Sequence, residues 1–309
     1  MRRKIYQELL QWKQRNGESA LLVQGARRVG KSYIVEAFAK AEYKSYILID
    51  FNLVDQQVKE MFEHDLVDLK TFFMKLTTYY GVKLYERESL IIFDEVQLFP
   101  RARSAIKYLV ADGRYDYIET GSLISIRENV KDILIPSEED HVDMYPLDFE
   151  EFLWANGNDT MMDFIRDCYR KKAPLGQALH RKAMDLFRQY LIVGGMPQAV
   201  NAFVKHNDFD EVDRVKRRIL NLYRDDIRKH AKGYEMKVEA IYDEIPSQMK
   251  NQNQHFKLSS LKQGARFDEY KDAMFWLSDA MIVNHCYNAT EPTFGLNLNR
   301  DRTLLKCYM

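Results

Sequence analysis

The feature that most constrains the fold of this chain is the segment Gly25-Ala26-Arg27-Arg28-Val29-Gly30-Lys31-Ser32, which matches the pattern G-x-x-x-x-G-K-[ST] at every fixed position. An apolar run at residues 20–23 precedes it, and an amphipathic helical pattern at residues 31–41 follows it. A buried strand, a glycine turn and a helix in this order predict a phosphate-binding loop in an α/β protein with a parallel sheet. The alternative is an ordinary glycine turn, and the flanking segments favour the phosphate-binding loop.

Each fixed position of this loop has a chemical reason. The two glycines let the backbone approach phosphate oxygens closely, and the N–H groups at the start of the next helix hold negative charge. We expect Lys31 to reach the β- and γ-phosphates as a catalytic residue and the Ser32 hydroxyl to bind Mg²⁺. The sequence therefore predicts ATP and Mg²⁺ as cofactors, and the predicted cofactor-binding residues of this segment are Gly25, Ala26, Arg27, Arg28, Val29, Gly30, Lys31, Ser32 and Tyr33.

Three further apolar runs, at residues 46–51, 90–93 and 115–119, have the length and composition of buried strands. Helical patterns fill the intervals between them. Apolar strands that alternate with helices predict a parallel sheet covered on both faces.

Two acids, Asp94 and Glu95, directly follow the run at residues 90–93. At the carboxyl end of a strand beside the phosphate loop, Asp94 would hold Mg²⁺ through water, and Glu95 would accept a proton from the attacking water as catalytic base. A strand that simply ends in solvated charge is the alternative, and the loop upstream favours the metal-and-base site. Thr120 and Ser122, at the end of the next strand, are candidates for contact with the γ-phosphate, although hydroxyls also cap such turns for structural reasons.

Composition narrows the classes of protein that fit. Lys and Arg number 46, and Asp and Glu also number 46, so the net charge is zero, whereas proteins that mainly grip nucleic acid usually have a basic excess. The three cysteines, Cys168, Cys286 and Cys307, are far apart, which fits a reducing compartment better than a disulfide framework. No run approaches the roughly 20 apolar residues that would span a bilayer, and we expect no signal peptide. These features predict a cytoplasmic protein without a membrane partner.

Together with the phosphate loop, four further segments resemble a bacterial and archaeal AAA-type ATPase family related to the STAND and origin-recognition branches of P-loop proteins. They are Asp-Glu-Val-Gln at 94–97, Thr-Gly-Ser at 120–122, Met-Tyr-Pro-Leu-Asp-Phe-Glu-Glu-Phe at 144–152 and Tyr-Leu-Ile-Val-Gly-Gly-Met-Pro at 190–197. The resemblance covers nearly all of the chain. It implies an AAA-like core, a helical lid and a winged-helix domain, and it makes Pro197 the lid proline that approaches the nucleotide. Proline also suits the first turn of a helix, so Pro197 has a structural explanation as well.

The pattern along the chain fits this division. Residues 149–230 look helical almost throughout, and they are interrupted at 156–158, 173–176 and 194–197. We predict three parts: a P-loop ATPase core at residues 1–148, an all-helical lid at 149–234 and a winged-helix-like domain at 235–309.

The final segment, residues 303–309, has the pattern of an apolar strand without a turn or polar tail after it. A strand-like terminus needs a partner, and members of the family usually continue into a nuclease-like domain. We therefore expect the natural polypeptide to be longer, and no nuclease activity is carried over to these residues.

Residues 257–280 predict two helical segments, the second of which would enter DNA in a helix-turn-helix arrangement. The polar positions of this second segment are mostly acidic. They are Asp268, Glu269, Lys271, Asp272, Ser278 and Asp279. Acids facing phosphates oppose binding, so a protein partner is favoured through this domain, while DNA binding and oligomer formation stay open.

Arg101, Arg103 and Arg127 are near the predicted nucleotide site in the sequence-based interpretation. Each could also be ordinary surface charge, and none is assigned as an arginine finger.

Two functional hypotheses follow. The first is ATP binding and Mg²⁺-dependent hydrolysis by an AAA-like ATPase that acts as a nucleotide-driven switch. The second is an ATP-regulated DNA-binding protein that uses the winged helix. The acidic second helix and the zero net charge favour the first.

Overall fold

A computed structural model describes residues 1–121, 138–250 and 255–309 of the chain, except residues 292, 294, 295 and 297. The described residues form two compact units, Met1–Ile219 and Leu220–Met309. Ser122, a predicted cofactor-binding residue, and Arg127, an arginine considered above, lie outside the described residues.

The first unit contains a parallel sheet flanked by helices, which confirms the predicted α/β class. Its strands are β1 (Ala20–Gln24), β2 (Ser45–Asp50), β3 (Ser89–Asp94), β4 (Asp116–Gly121) and β5 (Glu139–Asp143). The helices in this part of the chain are α1 (Ile5–Lys13), α2 (Lys31–Glu42), α3 (Gln56–Glu60), α4 (Leu69–Tyr80) and α5 (Pro100–Asp112), with a π-helical turn at Met61–Asp65 and a 3₁₀ turn at Val96–Leu98.

The strand order β2-β3-β4-β1-β5 decides which residues meet at the carboxyl edge of the sheet. All four neighbouring pairs run parallel, so every strand ends at the same edge. β4 lies between β1, which leads into the phosphate loop, and β3, which ends at Asp94. Residues at the ends of these three strands are therefore brought together from distant parts of the sequence.

The four strands predicted from apolar runs are present, and β3 is buried at all six positions. β5 was not predicted, because its sequence Glu-Asp-His-Val-Asp contains a single apolar residue. This edge strand pairs with β1, and Arg103 Nη2 donates a hydrogen bond to the buried Glu139 at 2.9 Å. Arg15 and Ser19 both donate to the carboxylate of Asp140. Strand pairing and ionic contacts thus replace the apolar burial that marks the other strands.

One face of the sheet packs on α3, α4 and α5 through a cluster of aromatic side chains. The ring of Phe62 lies edge-on to Phe51, Phe72 and Phe93, with ring centroids 5.8, 5.1 and 5.5 Å apart. Each of these four side chains is buried, and full burial of such a side chain contributes about 1.5–3 kcal/mol. This core holds β3 in place behind the candidate site.

Helices follow β5, as the sequence pattern predicts for this region. They are α6 (Phe149–Ala155), α7 (Met161–Lys171), α8 (Gln177–Val193), α9 (Pro197–His206) and α10 (Phe209–His230). α6 begins with a capping box, because the Asp148 carboxylate accepts from the Glu151 N–H while the Glu151 carboxylate accepts from the Asp148 N–H. The three predicted breaks coincide with loops, and a further break lies at Asn207, whose φ is +48°.

The second unit contains α11 (Glu235–Met249), a 3₁₀ turn at Leu258–Ser260, α12 (Phe267–Asp279), and the antiparallel pair β6 (Asn284–Ala289) and β7 (Arg300–Tyr308). The first of the two helical segments predicted in residues 257–280 is only this 3₁₀ turn, and Gly264, with a φ of +75°, follows it. The predicted terminal strand is present as β7, and it buries Leu305 and Cys307.

Candidate nucleotide-binding site

The phosphate loop, residues 25–32, connects β1 to α2 at the carboxyl edge of the sheet. Gly30 stands immediately before α2 with a φ of +97°, a conformation that residues with a Cβ rarely adopt. Within the described part of the chain, no side chain caps the N-terminus of α2. The first N–H groups of this 12-residue helix are therefore suited to hold an anion.

Lys31, the predicted catalytic lysine, is held against the backbone of its own loop. It is 7% exposed, and its Nζ donates hydrogen bonds to the carbonyls of Gly25 and Ala26 at 3.0 Å each. Burial lowers the pKa of Lys31, and the carboxylates of Glu95 and Asp94 act in the opposite direction. The amine thus lies in the field of both predicted acids.

Gly25 lies where the loop touches the chain that leaves β5. A Cβ on Gly25 would be 2.3 Å from the carbonyl oxygen of Met144, so only glycine fits there. The Met144 N–H in turn donates to the carbonyl of Gln24 at 2.7 Å. The base of the loop is consequently fixed on two sides.

One carboxylate joins three segments of the site. Ser32 Oγ donates a hydrogen bond to Asp94 Oδ1 at 2.8 Å, and the hydroxyl of Thr120 donates to the same oxygen. Asp94 and Thr120 are buried, with exposed fractions of 7% and 0%. Thr120 can reach Asp94 because β4 lies next to β3. The predicted metal residues Ser32 and Asp94 are therefore adjacent, with Thr120 behind them.

Glu95 follows β3 in a left-handed backbone conformation, with a φ of +53°. Such a conformation is uncommon for a residue with a side chain and occurs often at functional sites. The Glu95 N–H donates to Thr120 Oγ1 at 3.4 Å, and Gln97 Nε2 donates to the Glu95 carboxylate. Glu95 lines the same cavity as Lys31 and Ser32.

The donor set at this edge fits a hard divalent cation. A serine hydroxyl and a carboxylate oxygen, 2.8 Å apart, are oxygen ligands of the type that Mg²⁺ prefers. Magnesium would supply positive charge to phosphate oxygens at this position. Ser32 and Asp94 are the residues that would hold it.

A cavity of about 620 Å³ opens in front of the phosphate loop within the first unit. Its volume is in the range of small-molecule and cofactor sites. The predicted residues Arg27, Arg28 and Tyr33 contribute to its wall, and the residues outside the predicted set are Met1, Arg3, Ile34, Met144, Leu147, Gln198 and Asn201. A Cβ on Gly30 would be 3.8 Å from Pro197 Cγ, so this predicted proline lines the cavity next to the loop.

Pro197 is carried to the cavity by a close backbone contact between Gly195 and the chain that leaves β5 at Leu147. The Leu147 N–H donates to the carbonyl of Gly195 at 2.7 Å, and the Tyr190 hydroxyl donates to the carbonyl of Leu147 at 2.9 Å. A Cβ on Gly195 would lie 2.1 Å from the Leu147 carbonyl oxygen. The glycine is therefore required for the approach of α9 to the chain after β5.

Two groups of charged residues were not predicted from sequence. The first is Arg3, which lines the cavity and is 7% exposed. The second is a buried cluster in which Arg103 lies 3.9 Å from Glu119 and 2.9 Å from Glu139. Burial raises the pKa of Glu119 well above its ordinary value, and nearby Glu139 adds to the effect. Neither group has a local sequence pattern, because both depend on residues that are distant along the chain.

The position of Arg103 in this buried cluster decides whether it can act as an arginine finger. Arg103 is 4% exposed and engages the acids of β4 and β5, so its guanidinium is not available to a nucleotide. Arg101 is exposed at the start of α5. The structure thus leaves Arg103 out of the candidates and assigns no finger.

Among the described residues, no helix combines the length and the apolar character needed to cross a bilayer.

Comparisons with known proteins agree with this architecture. Residues 17–153 match a family model described as an AAA domain, and residues 184–309 match one described as a domain of unknown function, DUF8612. The Walker-type ATPase paby2304 of Pyrococcus abyssi is similar in structure, with a TM-score of 0.54 and 13% identity, over 99% of this chain and 92% of that chain. No curated protein matches the sequence.

Two other solved structures overlap more loosely. The Aeropyrum pernix ORC1 protein in complex with DNA has a TM-score of 0.34 at 10% identity, over 100% of this chain and 90% of that chain. AMPPCP-bound DnaA from Aquifex aeolicus has a TM-score of 0.37 at 12% identity, over 90% of this chain and 89% of that chain. The family model and the site geometry carry the assignment. Residues 17–153 thus form an AAA-type P-loop domain.

Proposed function

We propose that this chain binds ATP with Mg²⁺ and hydrolyses it, and that it works as a nucleotide-driven switch. The observation that carries the proposal is the hydrogen bond between Ser32 and Asp94, which brings the predicted metal residues together at the end of the phosphate loop. In this proposal the backbone of residues 25–33 holds the phosphates, and Lys31 neutralises charge on the β- and γ-phosphates. Pro197, which lines the cavity next to Gly30, would approach the nucleotide from the start of α9.

Glu95 is the residue that we propose as general base. Glu95 lines the cavity together with Lys31 and Ser32, and it directly follows β3 in a left-handed backbone conformation. A water held between Glu95 and the γ-phosphate would lose its proton to the carboxylate as it attacks phosphorus. The contact between Gln97 and Glu95 would orient that carboxylate.

A direct experiment compares ATP binding and phosphate release with Mg²⁺ and with excess chelator. Binding by calorimetry and turnover that both depend on Mg²⁺ would support the proposal. If the full chain, with its predicted lid at residues 149–234, binds ATP without releasing phosphate, the function is limited to an ATP-bound switch. Absence of ATP binding would contradict the proposal altogether.

A protein partner is the favoured ligand of the second unit. The side chains of Asp268, Glu269 and Asp272 are exposed on α12. Lys271 is the basic residue of this helix. Such a face repels phosphate, which supports a protein partner over the alternative of ATP-regulated DNA binding. Duplex-DNA binding by the full chain across a salt series distinguishes the two. Submicromolar affinity that falls steeply with salt would favour the alternative.

A further inference from the structure

The N-terminal segment is linked to the phosphate loop and to helix α6 by a single side chain. Arg3 Nη1 donates to the carbonyl of Val29 in the loop at 3.0 Å, and Nη2 donates to the carbonyl of Tyr145 at 2.6 Å. Its Nε donates to Glu151 Oε1 at 3.1 Å. One guanidinium therefore binds the loop, the chain after β5 and the first helix of the predicted lid.

Burial makes these three contacts interdependent. The side chains of Arg3 and Glu151 are each 6% exposed, so neither charge is free to exchange its partner for bulk water. A guanidinium is planar and its N–H groups point in fixed directions, so a shift at one acceptor displaces the others. Loss of a partner from a buried ion pair is strongly unfavourable. A displacement of the Val29 carbonyl would therefore disturb the contact between Arg3 and Glu151.

Glu151 also decides how α6 begins. Its carboxylate accepts from the Asp148 N–H at 3.2 Å within the capping box, and Oε1 accepts from the Lys4 N–H at 2.6 Å. The start of α6 and the direction of the chain entering it thus depend on where this carboxylate lies. Leu147, just before the capping box, holds Gly195 by the backbone contact described above.

We propose that Arg3 is a positioning residue that couples occupancy of the phosphate loop to the ordering of α6. The proposal rests on the proposed function, because it takes a nucleoside triphosphate as the ligand of the loop. Phosphates bound by the loop would hold Val29 in one place, which favours the arrangement in which Arg3 and Glu151 are paired. The coupling is reciprocal, so an ordered α6 also favours the nucleotide-bound loop.

The neighbouring residue Lys4 provides a matched control. Its Nζ lies 2.5 Å from Asp148 and 2.6 Å from Glu150, so it contacts the same helix start as Arg3. The contacts described for its side chain do not include the phosphate loop. A variant of Lys4 therefore weakens attachment of the N-terminal segment to α6 without removing the link to Val29.

Hydrogen exchange with and without AMPPCP and Mg²⁺ tests the coupling in the full chain. In the wild-type protein, saturating nucleotide should slow exchange both in residues 25–33 and in residues 149–155. In Arg3→Met we expect the loop to stay protected at saturation, while the nucleotide-dependent slowing in residues 149–155 falls about 5-fold or more. Lys4→Ala should keep both effects. A role in stability alone would change exchange equally with and without nucleotide.

If Arg3→Met does not fold, Arg3→Lys replaces it, because an ammonium keeps the charge but cannot reach three segments at once. Slowing in residues 149–155 equal to that of the wild type in the Arg3 variant would overturn the coupling, and so would an equal loss in Lys4→Ala. If nucleotide does not slow exchange in residues 25–33 of the wild-type protein, ATP binding by the loop is overturned, and the coupling with it.

Discussion

The Ser32 hydroxyl donates a hydrogen bond to Asp94 Oδ1 at 2.8 Å, although 62 residues separate them in the sequence. Thr120 donates to the same carboxylate oxygen from the neighbouring strand. A carboxylate at the end of one strand thus gathers the phosphate loop and a second strand end. This arrangement supports the proposed metal site over a strand that merely ends in solvated charge.

Asp94→Asn should abolish the contribution of Mg²⁺ to ATP affinity, because the amide keeps the shape of the carboxylate but lacks its charge. We expect affinity in the presence of Mg²⁺ to fall by about 10-fold or more, with little change in its absence. Calorimetric titrations with and without Mg²⁺ measure this. Asp50→Asn is the control, because Asp50 occupies the paired position at the end of β2 and accepts from the Asn52 N–H. Equal losses in the two variants would contradict the assignment.

Glu95→Gln should bind ATP and lose its hydrolysis, because an amide cannot accept the proton of the attacking water. Loss of a positioned general base typically lowers turnover by about 10²–10⁴-fold. Phosphate release at saturating ATP measures the effect, and Glu86→Gln, an exposed glutamate before β3, should behave as the wild type. Turnover retained in Glu95→Gln would assign the base elsewhere.

Gly195→Ala should destabilise the first unit and weaken ATP binding. Its Cβ would lie 2.1 Å from the Leu147 carbonyl oxygen, so the backbone that brings Pro197 to the cavity must move, at a cost of about 1–3 kcal/mol. The adjacent Gly194 has open space around it but a φ of +76° and a ψ of −175°, which essentially only glycine adopts, so Gly194→Ala should cost about 1–3 kcal/mol from backbone strain without a clash. Urea unfolding and ATP titration compare the variants. An ATP affinity in Gly195→Ala no lower than in Gly194→Ala would contradict the role of this contact.

His141 should make stability depend on pH near neutrality. Its Nε2 lies 3.0 Å from Glu139 Oε1, and the hydrogen bond to Glu139 raises the pKa of His141 above its ordinary 6.5, with Asp143 acting in the same direction and Arg103 against it. The folded state then holds the proton more tightly than the unfolded state, so the stabilisation is complete below the unfolded pKa and is lost as pH rises through the folded one.

The free energy of unfolding of the wild-type protein should therefore fall more between about pH 6 and about pH 9 than that of His141→Gln. Urea titrations at several pH values measure the difference. His180→Gln, which changes an exposed histidine on α8, is the control. Parallel curves for the wild type and His141→Gln would show that the ion pair adds no pH dependence.

Sequence patterns predicted the parts of the sheet whose stabilisation is local and apolar. β1 and β3 each contain a run of four buried apolar residues, and the segment from Gly25 to Ser32 has a fixed spacing set by phosphate chemistry. The helical segments after β5 were also predicted, because their breaks contain glycine, proline or asparagine. The domain boundaries at residues 148 and 234 stay predictions.

The parts that were not predicted depend on long-range polar contacts. The five residues of β5 lack an apolar alternation. This strand is stabilised instead by contacts from Arg103 on α5 and from Arg15 and Ser19 before β1. Arg3 contacts Glu151 across 148 positions of sequence. A lone arginine near the N-terminus has no periodicity or spacing that distinguishes it from surface charge, so only the fold identifies its partners.

We propose that the loop at residues 25–32 binds the phosphates of ATP, and calorimetric titration of Lys31→Ala with ATP and Mg²⁺ measures this most directly. Lys40→Ala on the same helix is the control, because Lys40 is exposed and pairs with Glu36. We expect both variants to keep the circular dichroism spectrum of the wild type, Lys40→Ala to keep its ATP affinity, and Lys31→Ala to lose about 100-fold or more. Wild-type affinity in Lys31→Ala would contradict phosphate binding by this loop.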